Sequence, residues 1–220
     1  MNISDNLIKI KAEIPAGVKL VAVSKTKPVE DILEAYNAGH KIFGENKAQE
    51  LHAKQPQLPQ DIEWHFIGHL QTNKVKFIIP FVSLIHSIDR MKLLREVNKQ
   101  AEKVNRVVDC LLQFHIASEE TKFGLNINEA VEILSSEEYK KMENIRICGV
   151  MGMATNTTDE SVVRSEFSNL KNIKEQLKEK FFGNSDYFCE ISMGMSGDYK
   201  IAIEEGSTIV RIGSAIFGAR

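Results

Sequence analysis

Apolar residues fall in eight short runs along this chain, at positions 19–24, 41–44, 64–68, 82–87, 107–116, 146–151, 187–192 and 208–213. Between the runs the spacing changes. Val29, Ile32, Leu33 and Tyr36 form one stripe at helical period, Ile127, Ala130, Val131 and Leu134 a second, and Val163, Phe167, Leu170 and Leu177 a third. Short unbroken runs fit strands covered on both faces, and the three-and-four spacing fits helices with one buried face. Helix starts carry signals of their own. Asn126 with Glu129 and Thr157 with Glu160 have capping-box spacing, Asp89 is placed to cap a helix through Met91 and Leu94, and Pro28 suits a first helical turn. Residues 3–14 predict one further helix ahead of the first strand.

Eight repeats of strand and helix predict an α/β fold with a parallel sheet, specifically a (β/α)8 TIM barrel forming a single domain over residues 1–220 with an extra N-terminal helix. The competing architecture is an open doubly wound sheet, which expects a Gly-x-Gly-x-x-Gly turn after a strand. None is present, and Gly149-Val150-Met151-Gly152 has the wrong spacing. The stretch 54–61, with Pro56 and Pro59, predicts a loop inside one β/α unit and is too short to link domains. Met151-Gly152-Met153 closes the sixth run and Met193-Gly194-Met195 closes the seventh. This echo puts glycine at two strand ends, where a ligand can approach the backbone closely.

Composition narrows the function classes. A chain of 220 residues, 43% apolar and 26% charged, buries one substantial core. Its net charge of −2 supplies no positive field for a nucleic acid. No apolar stretch approaches a membrane span, and the first eleven residues lack a signal-peptide pattern, so a cytoplasmic location with no membrane partner is expected. Cys110, Cys148 and Cys189 lie singly in apolar runs and read as small buried hydrophobes. No metal spacing joins His65, His69 and His86, which read as core or rim histidines. Neither a Gly-x-Ser-x-Gly elbow nor a phosphate loop ending in Gly-Lys-Ser/Thr occurs, which disfavours serine hydrolases and nucleotide hydrolases.

The chemistry gathers at strand ends. Lys25 follows the first run and Lys27 stands two residues on, so alternation places both with Val21 and Val23 on one face. A like charge and an apolar floor favour the neutral amine, the form that attacks an aldehyde. In a barrel all strand ends share one mouth, which also collects Glu45 and Asn46, His69, Lys122, Ser196 and Gly197, and Gly213 and Ser214. Glycine turns after the seventh and eighth strands are suited to cradle a phosphate. Arg211 sits within an apolar strand and needs an acidic or ligand partner. Each piece alone also reads as an ordinary solvated or turn residue. Together, an amine, an arginine and a phosphate cradle describe a site for a phosphorylated aromatic aldehyde.

The runs Ala22-Val23-Ser24-Lys25-Thr26-Lys27-Pro28, Phe43-Gly44-Glu45-Asn46, Trp64-His65-Phe66-Ile67-Gly68-His69-Leu70-Gln71, Gly194-Met195-Ser196-Gly197-Asp198 and Val210-Arg211-Ile212-Gly213-Ser214-Ala215-Ile216-Phe217-Gly218 resemble the pyridoxal phosphate homeostasis protein family. The resemblance implies a barrel like the N-terminal cofactor domain of alanine racemase, of the type III fold of pyridoxal 5′-phosphate (PLP) proteins. It implies a Schiff base on Lys25, phosphate held by Ser196, Gly213 and Ser214, Arg211 at the pyridine nitrogen, and Asn46 beside the cofactor. It further implies a monomeric carrier that buffers PLP and delivers it to PLP-dependent apoenzymes, with no catalytic residue of its own. Where the family has tyrosine after Gly-Glu-Asn, this chain has Lys47, a further amine near the mouth besides Lys25, Lys27 and Lys122. The sequence ends at Arg220, soon after the eighth run, so no second domain is expected to close over the mouth. An amino-acid racemase of the same PLP fold type is the alternative, and it needs an opposing acid/base from another domain and subunit. A cofactor-free Schiff-base aldolase ranks third.

Overall fold

The computed structural model describes residues 2–118 and 123–218. Helix α1 (Ile3–Glu13) precedes the barrel, and the chain then alternates through β1 (Lys19–Val23), α2 (Val29–Asn37), β2 (Ile42–Glu45), α3 (Ala48–Lys54), β3 (Glu63–Phe66), α4 (Val75–Ile78), β4 (Val82–Ile88) and α5 (Met91–Lys103). The second half runs through β5 (Val108–Gln113), α6 (Ile127–Ser135), α7 (Glu137–Lys140), β6 (Ile145–Met151), α8 (Glu160–Phe181), β7 (Glu190–Ser192), α9 (Tyr199–Glu204), β8 (Ile209–Ile212) and α10 (Ser214–Phe217). Neighbouring strands pair in parallel in chain order, and β8 returns to β1, with Val21 opposite Arg211, to close the barrel. Each predicted run contributes one strand, because a strand covered by helices outside and by side chains inside tolerates few polar positions.

Two apolar regions hold the barrel together. The larger lies between sheet and helices and includes Phe43, Trp64 and Phe66 from the strands and Phe167 and Leu170 from α8, each essentially inaccessible. The smaller fills the barrel interior with Val21, Leu84, Leu111, Cys148, Met151 and Ile209. Two residues beyond Leu84 and Ile209, on the same interior face, stand His86 and Arg211, so the interior changes from aliphatic to polar towards the strand ends.

Several local expectations are corrected. The Asn126 and Glu129 box forms as predicted, with reciprocal bonds of 3.0 and 2.8 Å. Thr157 does not cap α8. Asp159 does, accepting from the Ser161 N–H at 2.9 Å, while Thr157 Oγ1 accepts from the Asp159 N–H. Asp89 does not cap α5 either, because Arg90 holds the cap position and the Asp89 carboxylate is taken up by the guanidinium of Arg90 and by His69 at 3.3 Å. Lys54 belongs to α3 rather than to a loop. Cys110 and Cys148 are buried, but Cys189 is exposed: it lies just before β7, which begins at Glu190, between the buried Phe188 and the strand. Among the described residues no helix is long and apolar enough to cross a membrane, and no three potential metal ligands cluster.

Candidate functional site

At the strand ends a cleft of about 330 Å³ is lined by Lys25, Lys27, Asn46, Ser196, Gly197, Arg211, Gly213 and Ser214, with Val23, Ile67, Met153 and Met195 as its apolar walls. All six residues expected to hold a cofactor (Lys25, Asn46, Ser196, Arg211, Gly213 and Ser214) meet in this one cavity. Lys122 lies outside the described residues. Glu45 and His69 are not part of it: Glu45 turns into the protein, and His69 sits in an adjoining recess with Lys47, stacked on Phe123 at 4.3 Å.

The position of Lys25 follows from a tightly held turn. Strand β1 ends at Val23, and Thr26 adopts a left-handed φ of 65°, a conformation that a β-branched residue keeps only under external restraint. The restraint comes from both sides. Its N–H donates to Glu50 Oε1 at 2.6 Å, and the Lys27 N–H donates to the Ser24 carbonyl at 3.0 Å. Lys54 Nζ donates to that same carbonyl at 3.0 Å and to Glu45 and Glu50 at 2.8 and 2.7 Å. Ser24 Oγ donates to Glu45 at 2.7 Å. Burial pushes the Glu45 carboxyl up despite its bonds to Lys54 and Ser24, and its Oε2 has no partner among the described residues. Burial acts the same way on Glu50, but Lys54 and the Thr26 N–H outweigh it and hold that carboxyl down.

On the neighbouring strand β8, Arg211 is 4% exposed. Its guanidinium donates to Ser192 Oγ at 2.5 Å and to the Gly152 carbonyl at 3.1 Å, while its backbone N–H donates to the Gly194 carbonyl at 2.9 Å. Burial pulls it down to about 10, partly opposed by Asp198, so it remains cationic at neutral pH. The echoed glycines therefore serve the arginine. Their missing side chains make room for protein and not for a ligand: a Cβ on Gly152 would lie 2.7 Å from Ile116, and one on Gly194, at φ 93°, 2.6 Å from Ala202. The third residue of each echo, Met153 and Met195, walls the cleft.

Asn46 is placed by close backbone approach. A Cβ on Gly68 would fall 2.3 Å from the Asn46 carbonyl, so only glycine lets the end of β3 pack this near. The Asn46 Oδ1 is buried with no partner among the described residues, and it stands at the wall of a cavity that also carries Lys25, Lys27 and Arg211. The buried orphan acceptor calls for a donor and the three basic side chains call for an anion, so the cavity suits a polar occupant that carries both. On the opposite wall Ser196 Oγ accepts from the Gly213 N–H at 3.3 Å, and Gly197 has open space above its Cα. Phosphate oxygens fit such a rim of hydroxyls and backbone N–H groups.

With this geometry in place, the comparisons decide the family. The whole chain, residues 1–220, matches the family described as alanine racemase, N-terminal domain. A pyridoxal phosphate homeostasis protein of Aquifex aeolicus is 42% identical over 203 residues, covering 92% of this chain and 87% of its own. The chain belongs to the pyridoxal phosphate homeostasis protein family. Among solved members, PipY of Synechococcus elongatus with PLP bound superposes with a TM-score of 0.88 at 30% identity, covering 98% of this chain and 100% of that one. An alanine racemase of Clostridium difficile superposes with a TM-score of 0.80 at 16% identity, covering 100% of this chain and 60% of that one, which shows the shared fold alone.

The family pattern located the lining residues but not what holds them. Lys54, Glu50 and Ser192 had no signal of their own, because a lysine in a helix and a serine in a strand read as solvated or neutral until their neighbours are known.

Proposed function

We propose that this protein holds pyridoxal 5′-phosphate at the barrel mouth as a Schiff base on Lys25 and keeps it exchangeable, serving intracellular vitamin B6 homeostasis by buffering the aldehyde and delivering it to PLP-dependent apoenzymes. The observation that carries this reading is the convergence of Lys25, Arg211, Asn46 and the Ser196, Gly197, Gly213 and Ser214 rim on one cleft. Family membership and the PLP bound to PipY support it.

In this arrangement the serine and glycine rim would hold the phosphate, Asn46 would lie beside the ring, and Arg211 would donate to the pyridine nitrogen. When bound, the cofactor supplies an electrophilic aldehyde and an electron sink. Arg211 is a permanent donor, so it leaves the ring nitrogen unprotonated and that sink weak. This suits a carrier rather than a racemase. The apolar Val23 and Ile67 would shield a group bound to Lys25, while the exposed Ser214 and Met195 would leave it open to solvent and to a recipient. The protein acts as a cytoplasmic monomer, with neither nucleic acid nor membrane as partner.

The test is visible absorption of the purified protein after incubation with PLP, followed by borohydride reduction and peptide mapping. A band present in the wild type and absent in Lys25→Ala, with the reduced adduct on Lys25, is expected. An adduct confined to Lys27, Lys47 or Lys122 overturns the assignment of Lys25, and no band at all overturns the carrier reading.

A further inference from the structure

Beneath the cleft a chain of hydrogen bonds crosses the barrel interior from β3 to β8. His65 Nδ1 lies 3.0 Å from His86 Nε2, His86 Nδ1 lies 2.9 Å from Ser192 Oγ, and Ser192 Oγ receives Arg211 Nη1 at 2.5 Å. The four residues are 4, 0, 0 and 4% exposed in that order. The part of the interior towards the strand starts holds aliphatic and sulfur-containing side chains. Polar groups buried among them cost stability unless every donor and acceptor is used in the right sense.

The direction of this chain is dictated by its last member. A guanidinium has only donors, so Ser192 Oγ must accept from Arg211. Among the described residues Ser192 Oγ has no other acceptor within hydrogen-bond distance, so its single hydroxyl proton is directed at His86 Nδ1, which acts as the acceptor. His86 therefore carries its proton on Nε2 and donates it to His65 Nδ1, which leaves the His65 proton on Nε2 as well. A protonated His86 would point a second donor at Ser192 and strand the hydroxyl proton. Burial, with the charges of Lys19 facing His65 and of Arg211 facing His86, keeps both imidazoles neutral.

We propose that His86, supported by His65 and acting through Ser192, is a positioning residue for the cofactor site: the polarised chain fixes the rotamer of Arg211 and so aims its guanidinium at the ring nitrogen of the bound group. This rests on the PLP reading above. It assigns a role to two histidines and a serine on three strands that do not line the cleft. Because the three links act in series, breaking any one of them loosens the Ser192 side of the arginine and leaves it only its bond to the Gly152 carbonyl, and breaking a second adds little.

The experiment combines histidine nitrogen NMR with the rate at which bound PLP is lost on dilution. In ¹⁵N-histidine-labelled wild type, without PLP, both His65 and His86 are expected as neutral Nε2–H tautomers. Ser192→Ala and His86→Leu are each expected to release PLP roughly tenfold faster, about the effect of losing one oriented hydrogen bond, with the Lys25 adduct still trapped by borohydride. The double variant is expected to be no faster than either single one. His86→Asn, whose amide oxygen can replace Nδ1 as acceptor, is expected to recover most of the retention. If His86→Leu does not fold, Ser192→Ala and the wild-type tautomers still decide the matter. An Nδ1–H tautomer at His86, an unchanged release rate in Ser192→Ala, or additive effects in the double variant would overturn the inference while leaving the PLP site intact. Absence of a visible band in the wild type would instead remove the PLP reading, and this inference with it.

Discussion

Behind Lys25, Lys54 and two glutamates bring full charges together out of water, whereas behind Arg211 two neutral imidazoles and a hydroxyl carry a single charge outward. The first cluster grips the backbone: it ties Ser24 and Thr26, on either side of Lys25, to α3. The second grips a side chain and leaves the backbone of β8 to the sheet. The contrast follows from what each must hold. A turn in a left-handed conformation needs strong restraint on its amides and carbonyls, while a long guanidinium already set in a strand needs only its direction fixed.

This contrast predicts very different costs. Lys54→Met would leave Glu45, itself inaccessible, as an unpaired buried carboxylate and should cost about 3–5 kcal/mol. A lower denaturant midpoint together with loss of the visible PLP band is expected. Loss of stability with an unchanged band would show that the cluster serves the fold and not Lys25.

Glu45 and the buried histidines should also respond to acid in opposite senses. Burial, aided by Lys19, holds His65 down to about 3; burial first, then the nearness of His65 and the charge of Arg211, holds His86 well below 6.5; and burial first, then Lys11, holds His40 down to about 4. Between those values and 6.5 the unfolded chain binds more protons than the folded one, so stability rises with pH there and is lost as pH falls through that window. Glu45 works the other way. Its raised pKa means the folded state holds a proton longer, so its contribution falls as pH rises above the ordinary carboxylate value of 4.5. Thermal melts from pH 7 to 4 should show His86→Leu flattening the acid loss, by up to about 1.4 kcal/mol per pH unit for the one group removed. Glu45→Gln should steepen it. Identical slopes in all three proteins would mean that neither cluster is desolvated as described.

The smallest effect tests the polar layer by its exception. Ser87 follows His86 on β4 but faces the opposite side of the sheet, and its hydroxyl is buried with no partner among the described residues. Ser87→Ala should raise stability by about 1 kcal/mol. A loss of that size would reveal a bonding role for the hydroxyl and sharpen the contrast with Ser192, where the same change should loosen the cofactor.

Much of the barrel could be read directly from the chain. The eight runs match eight strands, and α1, α2, α6 and α8 lie where their apolar stripes placed them, because burial of one helix face and both strand faces writes itself into residue type. Ends were less secure. Thr157 and Asp89 have the residue types of caps, yet the cap of α8 fell to a nearer aspartate and Asp89 was claimed by Arg90 and His69. Residue type gives the capacity to cap, and competition among neighbours decides its use.

The candidate site divides along the same line. Amines after one strand, glycines after two others and an arginine within an apolar strand announce chemistry by being out of place in their local surroundings, and so they were visible in one dimension. Lys54, Glu50, Ser192 and the bonded pair of histidines are ordinary where they stand. The hydrophobic pattern determined a closed barrel and the family motifs determined which residues meet at its mouth. Only tertiary structure decided which buried polar groups face one another. Hydrogen bonds between residues 9 to 106 positions apart depend on side-chain directions across the barrel, which local periodicity does not encode.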